Sequence, residues 1–251
     1  MPVTPPGHYI PKHIAVINHT PLMSDMDAAF HTEAVRIQLR DHVAPSWDKE
    51  APGMMFYGTA EKLKADEAAL LAYVTDDGNA DSAGYHAMLA DLVYGLVDVQ
   101  QSRRPSVTLS HEGNEMYGNA RLNRVVRGPK DRLYYVELND PVQRQTYRIR
   151  VTLFGESRDV EVSDFVYPAW FGMQNPDASS KRTHMDQPVQ PFEIAPGGYQ
   201  IAQENDGQIV FLSKAGEFAA RHSKHSRTSR ILQGCDKIRR ARQNAIPRWS
   251  R

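Results

Sequence analysis

His111-Glu112-Gly113-Asn114-Glu115 places an imidazole and a carboxylate four positions apart, so a helix puts both on one face, with a second carboxylate beside the imidazole. This is the layout of a metal-dependent hydrolase helix, with a glutamate where a second histidine usually stands. Hydrolysis at such a site needs three protein ligands, an open position for water and a base to take the proton. His111 and Glu115 are the first two candidate ligands, and Glu112 is the candidate catalytic base. The third must come from elsewhere. Glu137, in Val136-Glu137-Leu138-Asn139-Asp140-Pro141, lies 22 positions beyond Glu115, which leaves room for the chain to turn back to the helix. Asp140 either ligates instead or orients His111 through its other ring nitrogen.

Each of these residues also has an ordinary reading. Surface helices are rich in glutamate, and Glu137 within an apolar strand can pair with Arg121 or Arg124. Asp140-Pro141 is a common turn pair, and Trp170-Phe171 is expected to be core packing. His86 is expected on a solvent-facing loop, the alternative being a place near the site because its segment precedes the strand before the helix. His184, His222 and His225 have no partner at a useful spacing. No Gly-x-Ser-x-Gly elbow, phosphate-binding glycine loop or dinucleotide fingerprint is present, so metal-assisted hydrolysis is the one enzyme class with residues to support it.

The elements that must position these groups follow from periodicity. Pro105 marks a helix start, with a serine or threonine between 106 and 110 expected to cap it. Gly113 costs that helix about 1 kcal/mol relative to alanine, so packing must hold it. His13 to Asn18 reads as a strand, and Ser24 to His42 as a long helix capped at Ser24 and ended by Pro45. Met54 to Tyr57, Ala69 to Val74, Val93 to Val99, Leu133 to Leu138, Gln145 to Phe154 and Val160 to Val166 read as strands, with a turn at Asp76 to Asn79. Asn205-Asp206-Gly207 is a turn signal within a hairpin from 198 to 212. The fold class expected is α+β, a mixed sheet with a long helix and a metal-site helix, plus a small β hairpin region and an extended basic C-terminal tail.

A hydrophobic content of 41% in 251 residues is that of a soluble protein with a core. No apolar run approaches the roughly 18 residues that span a bilayer, and the start lacks a signal-peptide pattern, so cytoplasmic synthesis and no membrane partner are expected. A single cysteine, Cys235, excludes a Cys-rich zinc site. The net charge of zero is uneven: residues 213–251 hold 11 Lys/Arg against Glu217 and Asp236. That tail, with the Pro-rich arm at 1–12, is expected to dock on neighbouring subunits as a homo-oligomer; nucleic-acid contact is second, because Phe218 and Trp249 are its only aromatic residues. The organisation expected is an arm at 1–12, a main domain at 13–172, a linker and β hairpin at 173–212, and the tail at 213–251.

Three motifs carry a resemblance. Ser110-His111-Glu112-x-x-Glu115-Met116, then Glu137-x-x-Asp140-Pro141-Val142, then Pro168-Ala169-Trp170-Phe171 resemble a family of uncharacterised zincin-like proteins of bacteria and their phages. Gly118-Asn119 stands where that family has Asp-Pro. The resemblance covers roughly residues 13–172. It implies a zincin-like, metallopeptidase-type fold, with His111, Glu115 and Glu137 as ligands of a divalent metal and Glu112 as base. Zinc is the first expectation, with manganese or calcium as alternatives because the ligands are rich in carboxylates. The function implied is a peptidase or amidase. The alternative is an inactive structural protein of this fold, such as a phage virion component that docks on other virion proteins.

Overall fold

The structure, a computed structural model, describes residues 10–58, 69–75, 82–89 and 92–219. It is α+β. The described elements of the first half run β1 (His13–His19), α1 (Asp25–Gln38), α2 (Ala44–Ser46), β2 (Gly53–Gly58), β3 (Ala69–Val74), β4 (Gly84–Leu89), β5 (Leu92–Asp98) and α3 (Pro105–Asn119). The five strands form one sheet in the order β2-β1-β3-β5-β4. Four run parallel, and β4 turns back antiparallel to β5 at the edge. Every residue of β3 and β5 is buried, which explains why both read as unbroken apolar runs.

Alternation along the strands separates two apolar faces. Ile14, Val16, Leu71, Tyr73, Val93 and Val97 pack with Val35 and Leu39 of the long helical run and with Leu109 and Met116 of α3. Ala15, Ile17, Leu70, Ala72, Tyr94 and Leu96 point to the opposite side. Helix α3 therefore lies on the sheet beside α1. An added Cβ at Gly113 would sit 3.1 Å from Val35 Cγ1, so the glycine lets the two helices approach closely. That packing offsets its weak helix propensity.

Ser24 caps α1 as expected, its hydroxyl accepting from the Asp27 amide at 3.0 Å. Two expectations about helix ends are corrected. Pro45 does not stop the long helix: Leu39–Val43 widens to a π turn, and Pro45 enters the final turn α2, at whose start its missing N–H costs little. Helix α3 has Pro105 in its first turn, but no side chain caps it. Thr108 instead meets the Ser102 hydroxyl at 2.7 Å, and Ser110 Oγ accepts from the Ser163 amide at 2.7 Å.

Beyond α3 come β6 (Val125–Arg127), β7 (Leu133–Tyr135), β8 (Thr146–Leu153), β9 (Glu156–Ser163), β10 (Tyr199–Gln203), β11 (Ile209–Ser213) and β12 (Gly216–Ala219). β8 and β9 form a hairpin that packs Ile149, Val151, Val160 and Val162 on Phe30 and Ala34 of α1. The other five make a second, antiparallel sheet ordered β12-β11-β10-β7-β6. The strand expected over 133–138 stops at Tyr135, and the chain leaves the sheet before Glu137 and makes a short 3₁₀ turn at Asp140–Val142. The hairpin expected over 198–212 is β10 and β11, and β10 pairs with β7. Trp170 and Phe171 are core residues, in the same apolar cluster as Ile14 and Leu212.

No described helix is long and apolar enough to cross a membrane. The turn at 76–79, residues 1–9 of the amino-terminal arm, and 220–251 of the basic tail, with His222, His225 and Cys235, lie outside the described residues.

Candidate metal centre

Three pieces of chain converge under the edge of the first sheet. Helix α3 presents His111, Glu112 and Glu115; the segment after β7 presents Glu137 and Asp140; β4 presents His86. Glu115 is central. Its Oε1 lies 3.0 Å from His111 Nε2, and its Oε2 lies 3.4 Å from His86 Nδ1. His111 Nε2 also lies 3.1 Å from Asp140 Oδ1, while His86 reaches Glu112 Oε2 at 3.3 Å and Glu137 Oε2 at 3.9 Å. The ligating atoms of His111, Glu115 and Asp140 are mutually within 4.8 Å, and so are those of His86, Glu115 and Glu137.

Four carboxylates and two imidazoles are thus gathered in a buried space. None of the ion pairs these carboxylates make among the described residues involves a lysine or arginine. Burial pushes Glu137 well above the usual carboxylate range, and the nearby Glu115 charge adds to it. Burial likewise raises Glu112, and it lifts Asp140 to about 7 with help from Glu115. Burial also disfavours the Glu115 charge, but the adjoining His111 and His86 outweigh it and hold that carboxyl far below its usual range. Burial alone would make both imidazoles less basic. The acids around them reverse the sign, and His86 and His111 are raised well above the ordinary range. A cation held among these groups would take the place of the protons that they share.

The donor set fits a divalent ion. Glu115 Oε1 is close to His111 without a hydrogen-bond alignment, and it has no hydrogen-bond partner. His86 Nε2, Glu137 Oε2 and Asp140 Oδ2 are also buried without one. Buried polar atoms without partners are costly, and several aimed into one space are the arrangement that a coordinated ion satisfies. A pocket of about 300 Å³ opens onto His111 and Glu112, lined also by Arg103, Arg104, Gln143 and Tyr199.

Of the residues expected from the sequence, His111, Glu112, Glu115, Glu137 and Asp140 all reach this cluster, but they group differently. Glu137 falls on the far side of Glu115, with His86, and Asp140 takes the place beside His111. Asp140 contacts the Nε2 face of His111, the same nitrogen that faces Glu115. Arg124 does not pair with Glu137: it stacks over Trp47 at 4.9 Å and donates to Gly118 O at 3.2 Å.

No protein-family model, curated protein or solved structure matches the chain. The site therefore rests on its own geometry.

The expectation that His86 faces solvent on a loop is corrected. It is in β4, with a side chain only 6% exposed. Tyr85 and Ala87 pack on the face of the sheet away from the helices and Met88 packs with the helix-side core, so alternation turns His86 toward α3. The backbone must also come close. An added Cβ at Gly84 would sit 2.5 Å from Thr108 Cγ2 and 3.1 Å from Glu112 Oε1. Asn119 and Tyr199 were not expected at the site. Asn119 Nδ2 donates to Glu137 Oε1 at 3.0 Å, while its Oδ1 accepts from the amides of Asn123 and Arg124 at 3.0 and 2.8 Å. Tyr199 lines the pocket and faces Asp140; burial, reinforced by the Asp140 charge, raises its hydroxyl well above the usual phenol range. A Gly-x-His alternation before an apolar strand was the available signal for His86, whereas Tyr199 arrives through the β10 to β7 pairing, which has no local signature.

Proposed function

We propose that the chain is a metal-dependent hydrolase of the peptidase or amidase type. The observation that carries this reading is the buried meeting of His111, Glu115 and Asp140, with His111 and the adjacent Glu112 lining an open pocket. One imidazole and two carboxylates suit zinc or manganese. When bound, such an ion polarises a carbonyl and makes water a nucleophile near neutral pH.

The protein's own groups supply the rest. Glu112 is the base: it lines the pocket, and burial raises its carboxyl above the usual range, which suits a group that takes up a proton and returns it. His86, 3.3 Å away, orients it. Arg103 and Arg104 line the pocket wall, Arg104 being paired with Glu161 at 2.9 Å.

Elemental analysis of the purified chain, loaded with Zn(II) or Mn(II) and dialysed, is the test. Bound metal is expected in the wild type and in Glu112→Gln. Hydrolysis of a mixed peptide substrate by the loaded wild type should fall by about 10²- to 10⁴-fold in Glu112→Gln, because the base is lost while the ligands stay. A wild type that takes up no ion under either condition ends this reading and leaves an architectural protein.

A further inference from the structure

The cluster has more ligands than one ion uses. We propose that it is a two-ion centre, with Glu115 as a bridging carboxylate, one cation held by His111 and Asp140 and a second by His86 and Glu137. This rests on the metal-binding reading above and extends it to the number of ions and to a set of ligands on β4.

Glu115 divides the cluster into two similar halves. Its two oxygens face different imidazoles, Oε1 toward His111 at 3.0 Å and Oε2 toward His86 at 3.4 Å. Each half then contains one imidazole, one carboxylate of its own and a share of Glu115, with the donor atoms of each half within 4.8 Å of one another. A bridging carboxylate spans the roughly 3.5–4 Å separation typical of two-metal sites.

Unpartnered atoms occur on both sides. His86 Nε2 and Glu137 Oε2 lack hydrogen bonds in one half, and Glu115 Oε1 and Asp140 Oδ2 lack them in the other. The side chains concerned are only 6%, 4%, 5% and 0% exposed, respectively, so water does not serve them freely. One ion would satisfy one half and leave the other pair buried and unmet. Charge points the same way. Glu112, Glu115, Glu137 and Asp140 carry four negative charges when ionised, and none pairs with a lysine or arginine among the described residues. With neutral imidazoles, the form that ligates, two divalent ions balance the four acids and one does not.

The test uses the full chain, freed of metal by chelation and titrated with Mn(II), with bound ion counted by elemental analysis and coupling read by electron paramagnetic resonance. The wild type is expected to bind two equivalents with the spectrum of an exchange-coupled pair. His86→Ala and Glu137→Gln should each retain one equivalent with an uncoupled signal, as should Asp140→Asn from the other half. Glu115→Gln should lose the coupling. Circular dichroism confirms that each variant is folded, and the wild-type spectrum decides the matter if one is not. A single equivalent in the wild type overturns the two-ion centre and leaves the hydrolase reading standing. Two equivalents retained in both His86→Ala and Glu137→Gln also overturn it, because the second ion then sits elsewhere. No bound Mn(II) or Zn(II) at all overturns both readings.

Discussion

At the scale of single residues, Asn119 shows how a group that is not itself a ligand candidate can decide the quality of a site. Its amide donates to Glu137 Oε1, leaving Oε2 for His86 and the space between them, and its carbonyl oxygen anchors the loop after α3 through two amides. Replacing it by aspartate keeps the loop acceptor but sets a second negative charge against Glu137. Asn119→Asp should therefore weaken metal binding by about 10- to 100-fold, the usual effect of losing a group that orients a ligand. Asn119→Ala should cost about 1–3 kcal/mol of stability, because a buried acceptor loses its donor. Metal titration and urea unfolding measure the two effects separately. Unchanged affinity in Asn119→Asp would show that Glu137 does not depend on this hydrogen bond. The sequence signalled Asn119 only as a departure from an Asp-Pro pattern; its partner, 18 positions away, is set by the turn after Tyr135.

At the scale of elements, the site depends on how closely the edge strand β4 approaches α3. Gly84 sets that distance, since an alanine there would place its Cβ 2.5 Å from Thr108 Cγ2. Gly84→Ala is expected to push the strand off the helix, costing about 1–3 kcal/mol by overpacking, and to move His86 away from Glu115. Urea midpoints check the first effect and metal stoichiometry the second. A variant of wild-type stability and metal content would mean that the strand is not held at this point. The strands and helices themselves were largely legible, because β3 and β5 are continuous apolar runs and α1 begins at a recognisable serine cap. The ligands of α3 were legible for the same reason, as their spacing is local. What stayed hidden was pairing across the chain. Glu137 sits in the irregular segment just past β7 rather than in the strand expected, and its partner His86 lies 51 positions upstream on an edge strand. The π turn before Pro45 was also invisible, since a proline normally reads as a stop.

At the scale of the whole molecule, two pairs of described histidines shift in opposite directions. His86 and His111 lie among acids and are raised, whereas burial lowers His31 and His184 to about 4. His31 is on α1, with Nδ1 3.1 Å from the Tyr73 hydroxyl of β3. Burial is the main cause of its shift, opposed by Asp27 and reinforced by Arg158. Below about pH 6.5 the unfolded chain binds a proton at this residue and the folded chain does not, so stability falls with pH until about 4 and then levels. The fall from 6.5 to about 4 bounds the effect at about 3 kcal/mol. His184, stacked 5.1 Å from Phe165 and 4.5 Å from His42, adds to the same slope by a smaller amount because it is more open to solvent. Urea midpoints of metal-loaded wild type and His31→Asn between pH 7.5 and 4 isolate the His31 contribution: whatever the offset at pH 7.5, the variant should lose less stability on acidification. A variant that loses as much as the wild type would mean that this imidazole is protonated in the folded state, and that the interface between α1 and the sheet is open to water.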